Sequence, residues 1–136
     1  MPNLRNYHLF ISHSWDYSGQ YETIREWLNR SPYFLWTDYS VPITKPVTFS
    51  RINEQKQNIL NRISLCSCVI ILSGMYVAYS DWIDFEINAA LSMRKPIIGV
   101  KPWGQERIPT KVQNCANILI GWNSASVVDA VRQYAL

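Results

Sequence analysis

Short apolar runs alternate along the chain with stretches whose apolar residues recur every three or four positions. Residues 7–11 (YHLFI) form the first run and read as a strand ending in the polar segment Ser12-His13-Ser14. Tyr21, Ile24, Trp27 and Leu28 follow at helical spacing, with Ser18 placed as the cap and Glu22 in the first turn. Residues 34–36, after Ser31-Pro32, give a short second strand. Residues 37–49 (TDYSVPITKPVTF) carry two prolines and no helical period, so they read as a long loop. A loop of that length in a compact domain is more often functional than idle.

The alternation continues. Ser50 is placed to cap a second helix, with Ile52, Ile59, Leu60 and Ile63 on one stripe. Residues 68–72 (CVIIL) are a continuous apolar run, as expected of a strand covered on both faces. Ser80 is placed to cap a third helix, with Asp81 and Asp84 near its positive end and Ile83, Ile87, Ala90 and Leu91 as its core stripe. Residues 96–100 and 116–120 supply a fourth and a fifth strand. Ser124 opens a last helix with the stripe Val127, Val128, Val131 and Ala135. This order, β-α-β-α-β-α-β-(loop)-β-α, predicts an α/β fold: a parallel sheet between two layers of helices. Right-handed crossovers favour a five-stranded, flavodoxin-like strand order of 2-1-3-4-5. Ligands of such folds bind beyond the carboxyl ends of the strands, where the strand order reverses. Segments 12–18, 37–49 and 73–82 are expected to meet there.

Composition adds bounds. At 136 residues, 48% hydrophobic and 17% charged, the chain reads as one domain over 1–136 with a real core, not as a disordered segment. Thirteen basic residues against 10 acidic ones give +3, without the basic stripe of a dedicated nucleic-acid binder. Cys66, Cys68 and Cys115 are odd in number and form no CxxC pair, which favours a reducing, cytoplasmic compartment over a disulfide scaffold. Together with His8 and His13 they show no zinc-ligand spacing, so no metal is expected. No secretory signal and no apolar run of membrane-spanning length is seen. GxxxxGK[ST], GxGxxG and GxSxG loops are all absent. A receiver domain of this fold would carry clustered Asp after the first strand, where Asp16 stands alone. Lys95, Lys101, Arg107 and Lys111 around Trp103 read as a solvated loop, or as a partner or phosphate surface.

The most informative stretch is Ser80-Asp81-Trp82-Ile83-Asp84-Phe85-Glu86. At about 100° per residue, Trp82 and Glu86 leave the helix on nearly the same side. They are expected on the flank of the core stripe, bordering the crevice. A carboxylate beside an indole there suits cleavage of the nicotinamide–ribose bond of NAD. The leaving group departs as a neutral pyridine and needs no general acid. The transition state needs negative charge near a developing oxocarbenium ion, which one Glu supplies. Ordinary glycosidases use two carboxylates instead. The plainer alternative is a solvated helix carboxylate beside a packing Trp. His13, likewise, reads either as a satisfied strand-end residue or as a proton shuttle. Ser12, Ser14 and Ser18 are hydroxyls that could cradle a phosphate near a helix N-terminus.

Phe10-Ile11-Ser12-His13 resembles the opening strand of TIR domains, and Trp82-x-x-x-Glu86, with Ser80 before it, resembles the catalytic-helix motif of TIR-type NAD hydrolases. Phe34-Leu35-Trp36-Thr37-Asp38 is similar to their second strand, and loop 37–49 sits where they carry the BB loop. The chain looks most like the short bacterial TIR-like proteins of Thoeris anti-phage type, over about residues 7–135. It departs from them at Pro42 and Pro46, where a Gly-containing turn is common, and at Ser14-Trp15-Asp16-Tyr17, where charged residues are usual.

The resemblance implies an enzyme that cleaves NAD as substrate, with no further cofactor, and makes a cyclic or otherwise modified ADP-ribose signal in antiviral defence. It implies Glu86 as the catalytic carboxylate. Phe10 and Trp82 would contact ligand rings, Asp38 would lie near ribose or adenine, and Ser12 and His13 would line the crevice floor. It also implies self-association or TIR–TIR assembly, and a downstream effector reached through the diffusible nucleotide. Two other readings stay open: a non-catalytic TIR adaptor module, and a flavin or nucleoside-transfer enzyme on the same fold.

Overall fold

A computed structural model of the chain describes residues 5–14, 18–43, 48–73, 76–101 and 108–136. Residues 15–17, Pro46, Trp103 and Arg107 and the side chain of Ser18, all singled out above, lie outside the described residues. The elements run β1 (Asn6–Ser14), α1 (Ser18–Arg30), β2 (Leu35–Asp38), β3 (Pro42–Ile43), α2 (Phe49–Leu65), β4 (Cys68–Leu72), α3 (Tyr76–Ser92), β5 (Ile97–Val100), α4 (Thr110–Cys115), β6 (Ile118–Ile120) and α5 (Ser124–Tyr134). All strand pairs are parallel, in the order β2-β1-β4-β5-β6, with β3 paired to β1. The five longer strands thus keep the flavodoxin-like order expected, and the sheet gains a sixth, two-residue strand inside the predicted loop. Pro42 fits there because so short a strand at the end of β1 asks little of its missing N–H.

The central strand β4 is buried at every position. Its residues alternate between two cores. Val69 and Ile71 join Phe10, Ile59, Ile63, Ile83, Ile87 and Ile97 beneath α2, α3 and α4. Cys68, Ile70 and Leu72 join Leu9, Ile11, Ile24, Leu28, Val127 and Val131 beneath α1 and α5. Each fully buried aliphatic side chain contributes on the order of 2 kcal/mol of transfer free energy, so these two clusters carry the fold. Among the described residues no helix is long and apolar enough to cross a membrane.

Several expectations need correction at their edges. The first strand does not stop before Ser12; it runs to Ser14, and all three polar residues are buried. Their side chains find partners inside, so polarity did not end the strand. The second helix is capped by Thr48, whose hydroxyl accepts from the Arg51 amide at 3.3 Å, and Ser50 lies inside it. The last helix is capped by Asn123, accepting from the Ser126 amide at 3.1 Å, and Ser124 is its first residue. The third helix begins at Tyr76, so Ser80 is an interior residue. Helix α4 lies where the sequence predicts a loop; its one buried residue, Val112, leaves no periodic pattern to detect.

Gly99 marks a close approach of α4 and β6 to β5. A Cβ there would stand 2.7 Å from Leu119 Cδ2 and 3.0 Å from Val112 Cγ1, so its absence lets α4 and β6 close on β5. The Leu119 methyl can swing away, but β-branched Val112 on α4 has less freedom. Gly99→Ala is expected to destabilise the fold by about 1–3 kcal/mol, read as a lower urea midpoint at unchanged slope. Wild-type stability in that variant would show that α4 does not press on the sheet.

Candidate active site

The strand order reverses between β1 and β4, whose register pairs Ser12 with Ile71. In parallel α/β sheets this reversal leaves a crevice at the carboxyl ends of the strands. Glu86 of α3 sits there with no exposed surface. It belongs to the buried face of its helix with Ile83, Ile87, Ala89 and Ala90, rather than to the flank expected of it. The hydroxyl of Ser12, also with no exposed surface, donates to Glu86 Oε1 at 2.5 Å. The second oxygen, Oε2, is buried and has no hydrogen-bond partner among the described residues. Burial pushes the Glu86 carboxyl up to about 8, against the opposing pull of the Ser12 bond.

His13, the next residue, lies on the other side of the sheet. Successive strand residues point to opposite faces, so Ser12 turns to α3 and His13 to α1. The His13 ring stacks on Tyr21 with centroids 3.6 Å apart and planes 3° from parallel. Its Nδ1 meets the Ile11 carbonyl at 2.9 Å; because a carbonyl only accepts, Nδ1 carries the hydrogen. Burial lowers the His13 pKa, which favours this neutral ring. The expectation that Ser12 and His13 share one floor is therefore corrected by the two-residue strand period.

Asp38 belongs to the His13 side as well. The Tyr21 hydroxyl donates to its Oδ2, the Ser40 amide donates to its Oδ1 at 2.9 Å, and Arg25 Nε stands 3.7 Å from Oδ2. This cluster ties α1 to β1 and β2. Tyr21 and Arg25, which hold Asp38, were not singled out as site residues in the sequence; Tyr21 read only as part of an apolar stripe.

Phe10 is wholly enclosed in the α2–α3 core, on the same strand face as Ser12. Trp82 is half-buried, edge-on to Phe85 at 6.4 Å, and lines an open groove of about 430 Å³ with Ile52, Lys56, Asp81, Asp84, Phe85 and Asn88. Glu86 is not among that groove's walls. The structure thus joins Glu86 with Ser12, puts Trp82 one turn earlier at a neighbouring groove, and sets His13 and Asp38 apart across the sheet. Among the described residues no three His, Cys, Asp or Glu side chains converge as a metal site.

The arrangement has a clear chemical capacity. One carboxyl is held by a neutral donor in a desolvated position, with one oxygen committed and one uncommitted. Such a group can oppose a developing cation or accept a proton near neutral pH.

The family described as Thoeris protein ThsB, TIR-like domain, matches residues 10–107. No curated protein sequence matches the chain. Solved structures with a similar fold include a CMP N-glycosidase of Clostridium botulinum, with a TM-score of 0.59 at 15% identity, over 92% of this chain and 98% of that one. A 2-deoxyribosyltransferase from Bacillus psychrosaccharolyticus aligns with a TM-score of 0.63 at 14% identity, over 88% and 89% of the two chains. A de novo designed Rossmann 2x3 protein aligns with a TM-score of 0.52 at 13% identity, over 94% and 87%. At these identities the likeness concerns the fold.

The buried carboxyl has a thermodynamic signature. Its folded-state pKa lies above the ordinary 4.5, so between roughly pH 4.5 and 8 the native chain keeps a proton that the unfolded chain releases. Stability therefore falls as pH rises through that window, by an amount on the order of 5 kcal/mol. Glu86→Gln, which cannot ionise and keeps an oxygen for Ser12, is expected to match the wild type near pH 5 and exceed it increasingly up to pH 8.5. Denaturation of both proteins across that range checks this; a difference that does not change with pH would contradict a buried titrating Glu86.

Proposed function

Because the chain belongs to the Thoeris ThsB TIR-like domain family, we propose that it is an enzyme that cleaves the nicotinamide–ribose bond of NAD. The observation that carries this reading is Glu86: buried at the switch point, bonded through one oxygen to Ser12, and unpartnered at the other. The names of two fold neighbours, an N-glycosidase and a deoxyribosyltransferase, both describe chemistry at a sugar–base bond, and they support the same reaction class.

In the proposed step the C1′–N bond breaks and its electron pair passes to the pyridinium nitrogen, which leaves neutral. Ionised Glu86 offsets the positive charge left on the ribosyl carbon. Low local dielectric makes that attraction far stronger than it would be in water. The cationic nicotinamide ring also favours the ionised carboxylate, offsetting the burial that keeps the proton on in the free protein. Water then attacks C1′ and gives a proton to the carboxylate, or the adenine attacks instead and closes a cyclic product. Internal capture requires a crevice that excludes water and holds the dinucleotide folded. The product serves as a diffusible nucleotide signal in anti-phage defence.

An adaptor module that only assembles with other TIR domains has no use for this carboxyl. An unpaired buried acid lowers stability, and retaining one is explained by chemistry better than by docking.

Incubating the protein with NAD and following nicotinamide by chromatography is expected to show release, with mass spectrometry identifying the ADP-ribose-type partner. Glu86→Gln is expected to lower that release by about a hundredfold to a thousandfold or more while the fold is kept. Turnover equal to wild type would refute the assignment. For the active protein, kcat/KM should rise with pH to a plateau, with a midpoint near the value of about 8 set by burial. The kcat midpoint should lie lower, because bound NAD carries the cation.

A further inference from the structure

The Ser12–Glu86 pair carries an inference beyond the reaction class, and it rests on the reading of Glu86 just given. We infer that Ser12 is the positioning residue of the carboxylate: by donating to Oε1 it fixes the side chain so that Oε2 is the oxygen that meets the sugar. Ser12 was expected to line the crevice for the ligand; its hydroxyl is instead spent on Glu86.

Three features argue for this role. A hydroxyl has one hydrogen, and at 2.5 Å from Oε1 it is committed to a single acceptor. The residue that carries it is anchored in a paired strand, in register with Ile71 of β4, so the donor cannot drift with a loop. The other carboxylate oxygen is left without a partner among the described residues, although it is fully buried. A purely structural Glu would be expected to satisfy both oxygens, since an unmet buried acceptor is costly.

No other described charge competes for this role. Of the three cations of α2, Lys56 lies over the Phe85 ring, Arg62 over the Tyr39 ring, and Arg51 is exposed. Lys111 of α4 bonds Asn88. On α3 itself Asp81 is exposed and Asp84 half-exposed. From β1 the buried Ser14 shares the strand face of Ser12, while His13 points to the opposite side against Tyr21. Burial raises the Glu86 carboxyl and the Ser12 bond lowers it, so Ser12 is the described side chain that favours the ionised form.

The test is Ser12→Ala, with Ser12→Thr as the variant that keeps the hydroxyl. The Glu86 carboxyl is titrated by carbon NMR on protein labelled at the glutamate carboxyl, the signal being assigned by its loss in Glu86→Gln. Loss of a hydrogen bond to a charged group should raise the Glu86 midpoint by about one pH unit in Ser12→Ala, with Ser12→Thr close to wild type. In the NAD assay, kcat/KM of Ser12→Ala should fall about tenfold at pH 7 and recover part of that loss at pH 9.5. An unmoved Glu86 titration in Ser12→Ala, or a Ser12→Thr protein that titrates like Ser12→Ala, would overturn the inference. The NMR arm needs no NAD. A shifted titration in a protein that releases no nicotinamide would therefore sink the reaction and leave Ser12 as the residue that holds Glu86. Nicotinamide release that depends on Glu86, with titration unmoved by Ser12→Ala, would sink only the role of Ser12.

Discussion

A carboxyl group stripped of water and met by one hydroxyl is the constraint around which this molecule is arranged. Charging Glu86 in that position costs several kcal/mol, and a hydrogen bond to a charged group returns only about 1.5–3. The difference must come from elsewhere in the chain. It comes from the two aliphatic clusters on either side of β4, which bury nearly every Ile, Val and Leu of the inner strands. The sheet is the source of stability, and the end of β1 is where that stability is given up.

The same strand period that builds two cores also separates two polar clusters. Ser12 serves the α3 side and His13 the α1 side, one peptide apart. On the α1 side the groups form a chain: His13 stacks on Tyr21, Tyr21 bonds Asp38, and Asp38 bonds Ser40 and pairs with Arg25. This network fixes helix to sheet, although the buried Nε of Arg25, 3.7 Å from Asp38, is left without a hydrogen-bond partner among the described residues. On the α3 side the account stays open by one oxygen. Each cluster thus keeps one buried polar atom unmet, a cationic nitrogen on the α1 side and a carboxyl oxygen on the α3 side, and burial pushes the carboxyl far from its ordinary pKa.

Much of the architecture was legible in the sequence, because apolar runs such as 68–72 and stripes such as Ile59 and Ile63 report burial directly. What escaped detection did so for physical reasons. Strand β1 continues through Ser12-His13-Ser14 because those side chains find partners inside, which hydropathy alone does not reveal. Two caps lie one or two residues from their expected places because Thr48 and Ser50, or Asn123 and Ser124, are all competent oxygen acceptors and only backbone geometry chooses between them, while the third helix starts at Tyr76, four residues before Ser80. Glu86 was read on a flank because a carboxylate is the residue least expected inside. The available signal lay in the partner: Phe10, Ser12 and Ser14 share one strand face, and a hydroxyl in the middle of a sheet covered on both sides calls for an acceptor opposite.

The fold alone does not choose a substrate, since a designed protein with no natural reaction shares it. The inventory around Glu86 goes further. A neutral nucleoside base leaves as an anion and needs a proton delivered to it, while a second group opposes the charge on the sugar. Among the described residues Glu86 has no second acid beside it: Ser12 is committed, and His13 faces away with its Nδ1 hydrogen on Ile11. One carboxyl cannot donate a proton to the base and stand ionised against the sugar in the same step. A base that is already cationic removes the first requirement, and nicotinamide in NAD is such a base. A pyridinium leaving group is therefore the one for which the single described carboxyl would suffice, which is why NAD is the proposed substrate.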